Sequence, residues 1–265
     1  MNGELAQAIC LAGYGSAWLA GPPDAEPPSL ESASDNFRFV AHLRFEMELG
    51  SEQDSVAAWL RDLRGRGIDR LFLVAGEPGR AAIGEAPVDE RYLVAFAGAG
   101  SWFVLATGAE NEGWRASWEV GDLHAPDQRI WNVTYRGKVL SADAEPPRPP
   151  LSEAGHTLRE ALRAAADLAA SRPEIAEWVG IFEGALNTAA PPDRLDLLPR
   201  DAYGSEAQQL AAMAAAAWVF GGMGSWNDFS FPDDKEFQAR YDAVSEDLYR
   251  AVLDGLVAAT NSDRA

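Results

Sequence analysis

The stretch from Phe37 to Leu49 reads FRFVAHLRFEMEL and alternates apolar with polar residues. A period of two places alternate side chains on one face of an extended chain, so the apolar set shares a face while Arg and Glu side chains lie mostly on the other. The stretch therefore predicts a long, half-buried strand in a sheet that is covered on one side. The apolar set is Phe37, Phe39, Ala41, Leu43, Phe45, Met47 and Leu49.

The elements that follow this strand indicate a small sheet. Residues 53–65 change to helical apolar spacing and predict one early helix. Short turns join the next predicted strands, and Gly98–Gly100 is placed as a hairpin turn. Because consecutive strands with short connections pair antiparallel, we expect an antiparallel β-meander of five to six strands. The later strands are predicted at Leu71–Ala75, Tyr92–Ala97, Trp102–Ala106, Trp114–Val120 and Trp131–Tyr135.

Four prolines between positions 146 and 150 mark the clearest boundary in the chain. The sequence beyond them has the apolar spacing of about four amphipathic helices, beginning near Ser152, Ser171, Ser205 and Asp233. A one-sided sheet and amphipathic helices each need a cover. We therefore predict an α+β fold, with residues 1–145 mostly antiparallel β and a helical bundle over 146–265 packed on that sheet as one unit.

The charge of the chain limits the kinds of partner that it can bind. It has 265 residues, with 22 basic and 41 acidic side chains and a formal net charge of −19. No stretch is basic enough to displace the counterions of nucleic acid, so we expect no nucleic-acid partner. A single cysteine, Cys10, excludes an internal disulfide and a cysteine-rich zinc site. An acidic surface suits a basic protein partner.

The sequence also carries features that bear on its compartment. Its first basic residue is Arg38, so the positive region of a secretory signal is missing ahead of the apolar residues 5–20. The longest uncharged run, residues 207–225, is rich in Ala and Gly and is typical of a buried helix rather than a membrane span. With 20 Arg against 2 Lys, the composition is typical of a GC-rich bacterial genome. We expect a bacterial cytoplasmic protein with no membrane partner.

Motifs for nucleophilic catalysis and for phosphate or dinucleotide binding are missing, so we expect no cofactor. One loop, however, holds a histidine between two carboxylates, namely Asp122, His124 and Asp127. These three residue types can bind a metal if a further ligand comes from elsewhere in the fold. The other interpretation is a polar turn between two strands, in which the carboxylates bind local backbone amides.

The most distinctive segment is residues 218–228, WVFGGMGSWND, which we call the glycine–tryptophan loop. In one interpretation Gly224 permits a tight turn that returns Trp226 to the core. In the other, the loop presents Trp226 as an anchor for a partner, since tryptophan dominates interface hot spots. The candidate partner-binding residues are Trp226, Asn227, Asp228, Asp233 and Asp234.

The chain has nine tryptophans, which is many for its length. Five of them fall on apolar stripes of predicted strands or helices, where large aromatic side chains supply buried area. A platform for stacking carbohydrate would need the strand tryptophans to face outward, but their alternation with Arg, Ser and Glu favours the core. The five are Trp59, Trp114, Trp118, Trp131 and Trp178.

The glycine–tryptophan loop, together with the segment from Tyr241 to Tyr249, resembles a group of uncharacterised bacterial proteins. Some of these proteins resemble the immunity proteins of polymorphic toxin systems. The resemblance covers about the last 45 residues and implies no catalytic residues. It implies a protein that binds another protein.

These observations together predict a non-enzymatic, acidic binding protein, most concretely an immunity-type protein that neutralises a basic toxin. Two alternatives remain open at this point. One is a hydrolase that uses carboxylates or a metal ion, and the other is a structural protein that forms homo-oligomers through its helical half.

Overall fold

The computed structural model describes residues 1–48, 50–76, 90–188 and 196–264. Within these ranges the chain has eight α-helices and one six-stranded sheet. The helices are α1 (Gly3–Leu19), α2 (Leu30–Ala33), α3 (Val56–Gly65), α4 (Glu90–Leu93), α5 (Leu151–Ala170), α6 (Trp178–Leu186), α7 (Ser205–Ala216) and α8 (Lys235–Asn261). The strands are β1 (Val40–Met47), β2 (Glu52–Gln53), β3 (Ile68–Val74), β4 (Phe103–Gly108), β5 (Glu112–Val120) and β6 (Trp131–Val139).

The sheet is mixed, with strand order β2-β1-β6-β5-β4-β3. Strands β3 to β6 form the antiparallel meander that their short connections predict. The prediction of a wholly antiparallel sheet is wrong, because β1 pairs in parallel with β6. This pairing joins strands about ninety residues apart in the chain, and turn lengths between consecutive strands carry no information about it.

Strand β1 is shorter than the predicted strand and its apolar alternation is interrupted. The register against β6 shifts between Val40 and His42, so Val40, Leu43 and Phe45 face the core while Phe39 is 39% exposed. A register shift of this kind changes which side chains face inward at one end of a strand. Leu49, at the end of the predicted strand, lies outside the described residues.

The segment 92–97 differs from the prediction in type as well as in extent. Residues Glu90–Leu93 form the short helix α4, and turns follow it, so neither the predicted strand nor the hairpin at Gly98–Gly100 is formed. Val94 is buried, whereas Phe96 is 67% exposed. Only one side of this apolar run therefore faces the core. A continuous run of apolar residues is equally compatible with a helix or turn buried on one side and with a fully buried strand.

Helix α1 lies between the sheet and the helical bundle. It contacts β3 and β4 on one side and α8 on another, and nearly all of its residues are buried. Gly15 permits the close approach, because a Cβ there would lie 2.5 Å from the Leu71 side chain. The predicted single early helix corresponds to α3, whereas α1 was not predicted, and the bundle reaches both α1 and β3 through α8.

The four helices of the bundle agree in number with the prediction. Helix α5 packs on α6 and α8, and α7 packs on α8. One continuous apolar core includes residues from the sheet, from α1 and from all four bundle helices. The predicted boundary near residue 145 falls in the segment between β6 and α5.

Strand β3 is an edge of the sheet, and side chains satisfy its free backbone groups. The Ser16 hydroxyl accepts from Leu71 N at 2.8 Å and donates to Leu71 O at 2.6 Å. The Asn261 amide accepts from Leu73 N and donates to Leu73 O, both at 2.8 Å. Buried backbone groups need hydrogen-bond partners. These two side chains provide the hydrogen bonds to Leu71 and Leu73 that a neighbouring strand would otherwise provide.

No described helix has both the length and the apolar character that crossing a bilayer requires.

Candidate functional site

The glycine–tryptophan loop returns to the core, as the first of its two interpretations predicts. Gly224 has a φ of +83°, and the Trp226 side chain that follows is fully buried. Its indole Nε1 donates to the Ser245 hydroxyl at 2.7 Å, and its ring meets Phe182 edge to face at a centroid distance of 5.1 Å. Trp226 is therefore not exposed as an anchor, and the large apolar side chain that the loop exposes is Met223.

The acidic residues of this region mostly bind their own backbone. Asp228 forms a capping box with Ser225, and its carboxylate also accepts from Gly224 N. Asp234 caps α8 by accepting from Phe237 N at 3.0 Å, and it pairs with Arg172. The hydrogen bond from Phe237, followed by the Arg172 contact, lowers the pKa of Asp234. Asp233 is exposed.

Asn227 joins the loop to a buried arginine. Its amide donates to the Arg91 carbonyl and accepts from the Arg91 guanidinium at 3.3 Å. Arg91 is 1% exposed and also donates to Asp242 at 2.8 Å. The Arg91 guanidinium thus contacts both Asn227 and Asp242, and it ties α4 to the loop and to α8. The contacts of Trp226, Asn227, Asp228 and Asp234 stabilise the fold, and partner binding by this loop stays a prediction.

The loop with Asp122, His124 and Asp127 connects β5 to β6. Asp122 accepts from His124 N at 2.9 Å, and Asp127 accepts from Arg129 N at 3.1 Å, which are the local bonds of polar turns. All three side chains lie in an exposed segment. In the part of the chain that the structure describes, no group of three or more His, Cys, Asp or Glu side chains is arranged to hold a metal ion.

A pocket at the same end of the sheet combines aromatic walls with a polar floor. It has a volume of about 300 Å³ and lies where α1 begins, β1 and β6 begin and β5 ends. We call it the sheet-end pocket. The side chains that give it its chemistry are Glu4, Gln7, Phe39, Phe96, Trp118 and Trp131.

The floor is formed by two polar side chains one turn apart on α1. Glu4 is 6% exposed and accepts from Gly98 N at 2.5 Å. Burial raises the pKa of Glu4, and this effect outweighs the Gly98 hydrogen bond and the Arg115 charge, which lower it. Gln7 is 1% exposed and donates to Asn36 O at 2.9 Å. No donor among the described residues reaches the Gln7 Oε1.

The walls are formed by aromatic side chains that the core does not fully cover. Trp118 and Trp131 meet edge to face with ring centroids 5.7 Å apart, and both are half-buried. Phe39 and Phe96 are partly exposed at the mouth. Trp59, Trp114 and Trp178 are buried in the core, and Trp118 and Trp131 face the core as predicted but stay half-exposed at its edge.

The surface around the pocket is apolar with an acidic border. Val120 and Leu123, on the strand and loop that follow Trp118, are 53% and 65% exposed. Backbone bonds from Trp131 N to Phe39 O and from Gly121 N to Ile130 O hold these segments together. The exposed charges on residues 35–39 and 119–129 are Asp35, Glu119, Asp122 and Asp127 against Arg38 and Arg129.

Sequence reasoning missed this pocket, although one signal was present. Glu4 and Gln7 are polar positions three residues apart in the first half of a helix whose other residues up to Gly13 are apolar or glycine. Polar side chains in such a position must have a polar neighbour or line a cavity.

Comparisons of the chain with known protein families, with curated proteins and with solved structures find no match, so function is inferred from the site itself.

Proposed function

We propose that this chain is a non-enzymatic binding protein that neutralises a basic protein partner, most concretely a toxin domain, and that the partner docks over the sheet-end pocket. The observation that carries the proposal is the exposed apolar surface of Phe39, Phe96, Val120 and Leu123 around a pocket with a buried carboxylate. Large apolar side chains exposed near one pocket are characteristic of protein interaction sites.

The charge of the chain supports a basic partner. A net charge of −19 attracts a cationic protein at long range, and complementary charge speeds association by roughly 10–10³-fold at low salt. The acidic border around the sheet-end pocket extends this complementarity to the docking surface. The immunity-type resemblance that the C-terminal sequence leads us to expect points to a toxin as that partner.

The test is a capture experiment with the tagged full chain in its native host, read by mass spectrometry at low and moderate salt. We expect one basic protein, whose recovery falls as salt rises. The variant Phe96→Ser removes an aromatic contact from the pocket mouth without opening the core, so recovery should fall at least about tenfold, as for an interface hot spot. The matched control is Met223→Ser, which removes an exposed apolar side chain from the glycine–tryptophan loop and should leave recovery unchanged.

Other outcomes would contradict the proposal in distinguishable ways. A partner lost with Met223→Ser but retained with Phe96→Ser would assign binding to the glycine–tryptophan loop. Recovery of the chain alone, with a stoichiometric bound metal, would favour the hydrolase alternative. Recovery of the chain alone as a multimer in sizing chromatography would favour the homo-oligomer.

A further inference from the structure

We infer that the sheet-end pocket holds one arginine side chain of the basic partner, with its guanidinium over the Glu4 carboxylate and the Gln7 Oε1 and against the Trp118–Trp131 pair. This inference rests on the proposed function for the origin of the arginine. The pocket itself can be tested without the partner.

The buried carboxylate of Glu4 would be stabilised by a bound cation. Glu4 lies 6% exposed at the base of the pocket, where a charge has lost most of its hydration. A buried charge is stabilised by a paired, hydrogen-bonded opposite charge. Arg115 lies near enough to act on Glu4 electrostatically, but it donates to Gly100 O at 3.1 Å, and burial remains the larger influence on the carboxylate. A ligand cation would supply the missing stabilisation.

The arrangement of acceptors and rings suits a guanidinium better than an ammonium. Glu4 and Gln7 present a carboxylate and an amide oxygen from successive turns of one helix, and a planar guanidinium carries five donors in a fixed fork. Among the described residues the Gln7 Oε1 lacks a donor, and it is buried from solvent, so an incoming N–H reaches it after a small rotation of the Gln7 side chain. Arginine also stacks on aromatic rings and is more weakly hydrated than lysine.

The size and surroundings of the pocket suit a side chain presented by a protein. Its volume of about 300 Å³ is at the lower end of the range for small-molecule sites. Phe96 is 67% exposed beside the pocket, where it would contact the surface from which the arginine projects, and Phe39 next to it carries the Arg38 guanidinium on its ring. Arginine is among the residues most enriched at interface hot spots.

The first experiment titrates the wild-type full chain with N-acetyl-arginine amide and follows the indole N–H signals by NMR. We expect saturable shifts of the Trp118 and Trp131 signals. N-acetyl-citrulline amide has the same shape without the charge, and it should bind at least about tenfold more weakly, since hydrogen bonds to charged groups are the stronger ones. N-acetyl-lysine amide should also bind more weakly than the arginine amide. Equal binding of the arginine and citrulline amides would overturn the inference, and that comparison needs no variant.

The second experiment uses the variant Glu4→Gln, which keeps an acceptor for Gly98 N while it removes the charge. Affinity for the arginine amide should fall at least about tenfold. The matched control is Glu153→Gln, which changes an exposed glutamate in the first turn of α5 and should leave affinity unchanged. Unchanged affinity in Glu4→Gln would overturn the inference.

The two proposals fail separately. If the arginine amide binds as expected but no basic protein is captured, the pocket inference stands and the proposed function fails. If a basic partner is captured through Phe96 while the arginine amide does not bind, the proposed function stands and the arginine inference fails.

Discussion

At the scale of single residues, Trp226 shows how one polar atom inside the core shapes stability. Its indole N–H has the Ser245 hydroxyl as its partner, and that hydroxyl in turn donates to the Tyr241 carbonyl at 2.6 Å. We expect Ser245→Ala to lower the free energy of unfolding by about 1–3 kcal/mol, because the buried indole N–H is left without an acceptor. Urea denaturation measures this, and Ser152→Ala, at an exposed position, should stay within about 0.5 kcal/mol. Equal effects of the two variants would contradict the buried role of Trp226.

Glu4 predicts a pH dependence of stability at the same scale. Because burial raises its pKa above the ordinary value of 4.5, the folded state holds its proton to higher pH than the unfolded state does. The free energy of unfolding should therefore fall as pH rises from the ordinary pKa through the raised one, by about 1.4 kcal/mol for each unit of difference. Glu4→Gln should be more stable than wild type at pH 8 and should lose that advantage in acid.

Denaturant unfolding of the Glu4→Gln variant and of wild type from pH 4 to pH 8 checks this expectation. The control Glu153→Gln changes an exposed glutamate and should keep the free energy of unfolding within about 0.5 kcal/mol of wild type. A Glu4→Gln variant that is less stable than wild type at pH 8, and whose deficit disappears in acid, would mean that the carboxylate is stabilised in the fold, contrary to the expectation.

At the scale of elements, the end of α8 and the edge strand β3 depend on each other. Asn261 satisfies both Leu73 backbone groups and also donates to Pro147 O at 2.8 Å, in the segment before α5. We expect Asn261→Ala to lower the free energy of unfolding by about 2–4 kcal/mol, since it leaves several buried backbone groups without partners. Hydrogen exchange of the Leu73 amide should also be faster in this variant than in wild type, because the amide has lost its acceptor.

A matched variant keeps this test specific to the β3 edge. Asn187 is an exposed asparagine at the end of α6, and its amide donates to the Glu183 carbonyl one turn earlier. Asn187→Ala should lower the free energy of unfolding by less than about 0.5 kcal/mol. A similar cost for both asparagines, or an unchanged exchange rate at Leu73, would show that α8 does not protect the edge.

At the scale of the whole molecule, α1 packs against the sheet and against α8, and we expect the sheet and the bundle to unfold as one cooperative unit. We expect Gly15→Val to lower stability by about 2 kcal/mol or more, since added atoms would overlap Leu71 and Leu60 at the centre of the packing. Because the core is continuous, helix circular dichroism and tryptophan fluorescence should report one coincident transition in wild type and one earlier transition in the variant.

The control for the whole-molecule test is Gly180→Ala on α6. A Cβ there meets nothing within 4 Å, so the change should raise stability by about 0.5–1 kcal/mol through helix propensity. Two separated transitions, with Gly15→Val moving only one of them, would mean that the sheet and the bundle unfold as independent domains.

The candidate site shows where sequence reasoning stops. The alternation of Trp118 and Trp131 with polar residues predicts which face of the sheet they share, and the structure agrees with that. Their half-exposure depends on how far the cover of that face extends, and α1 decides it by placing Glu4 and Gln7, rather than apolar side chains, beside the two rings. No local pattern in residues 114–135 contains that information.

The sequence by itself determined the helices and strands that can be recognised from the pattern of apolar residues within the element. The period of two predicted β1, β5 and β6, and continuous apolar runs predicted β3 and β4. The period of 3.6 predicted α3 and the bundle helices, and the prolines predicted the break between the halves. Side-chain periodicity and proline stereochemistry act within a few residues. Only the tertiary structure decided the parallel pairing of β1 with β6, the helical form of 90–93, the place of α1 between two layers and the pocket at its start. Each of these features depends on contacts between residues that are far apart in the chain. The free energy of such contacts cannot be read from the local sequence of either partner.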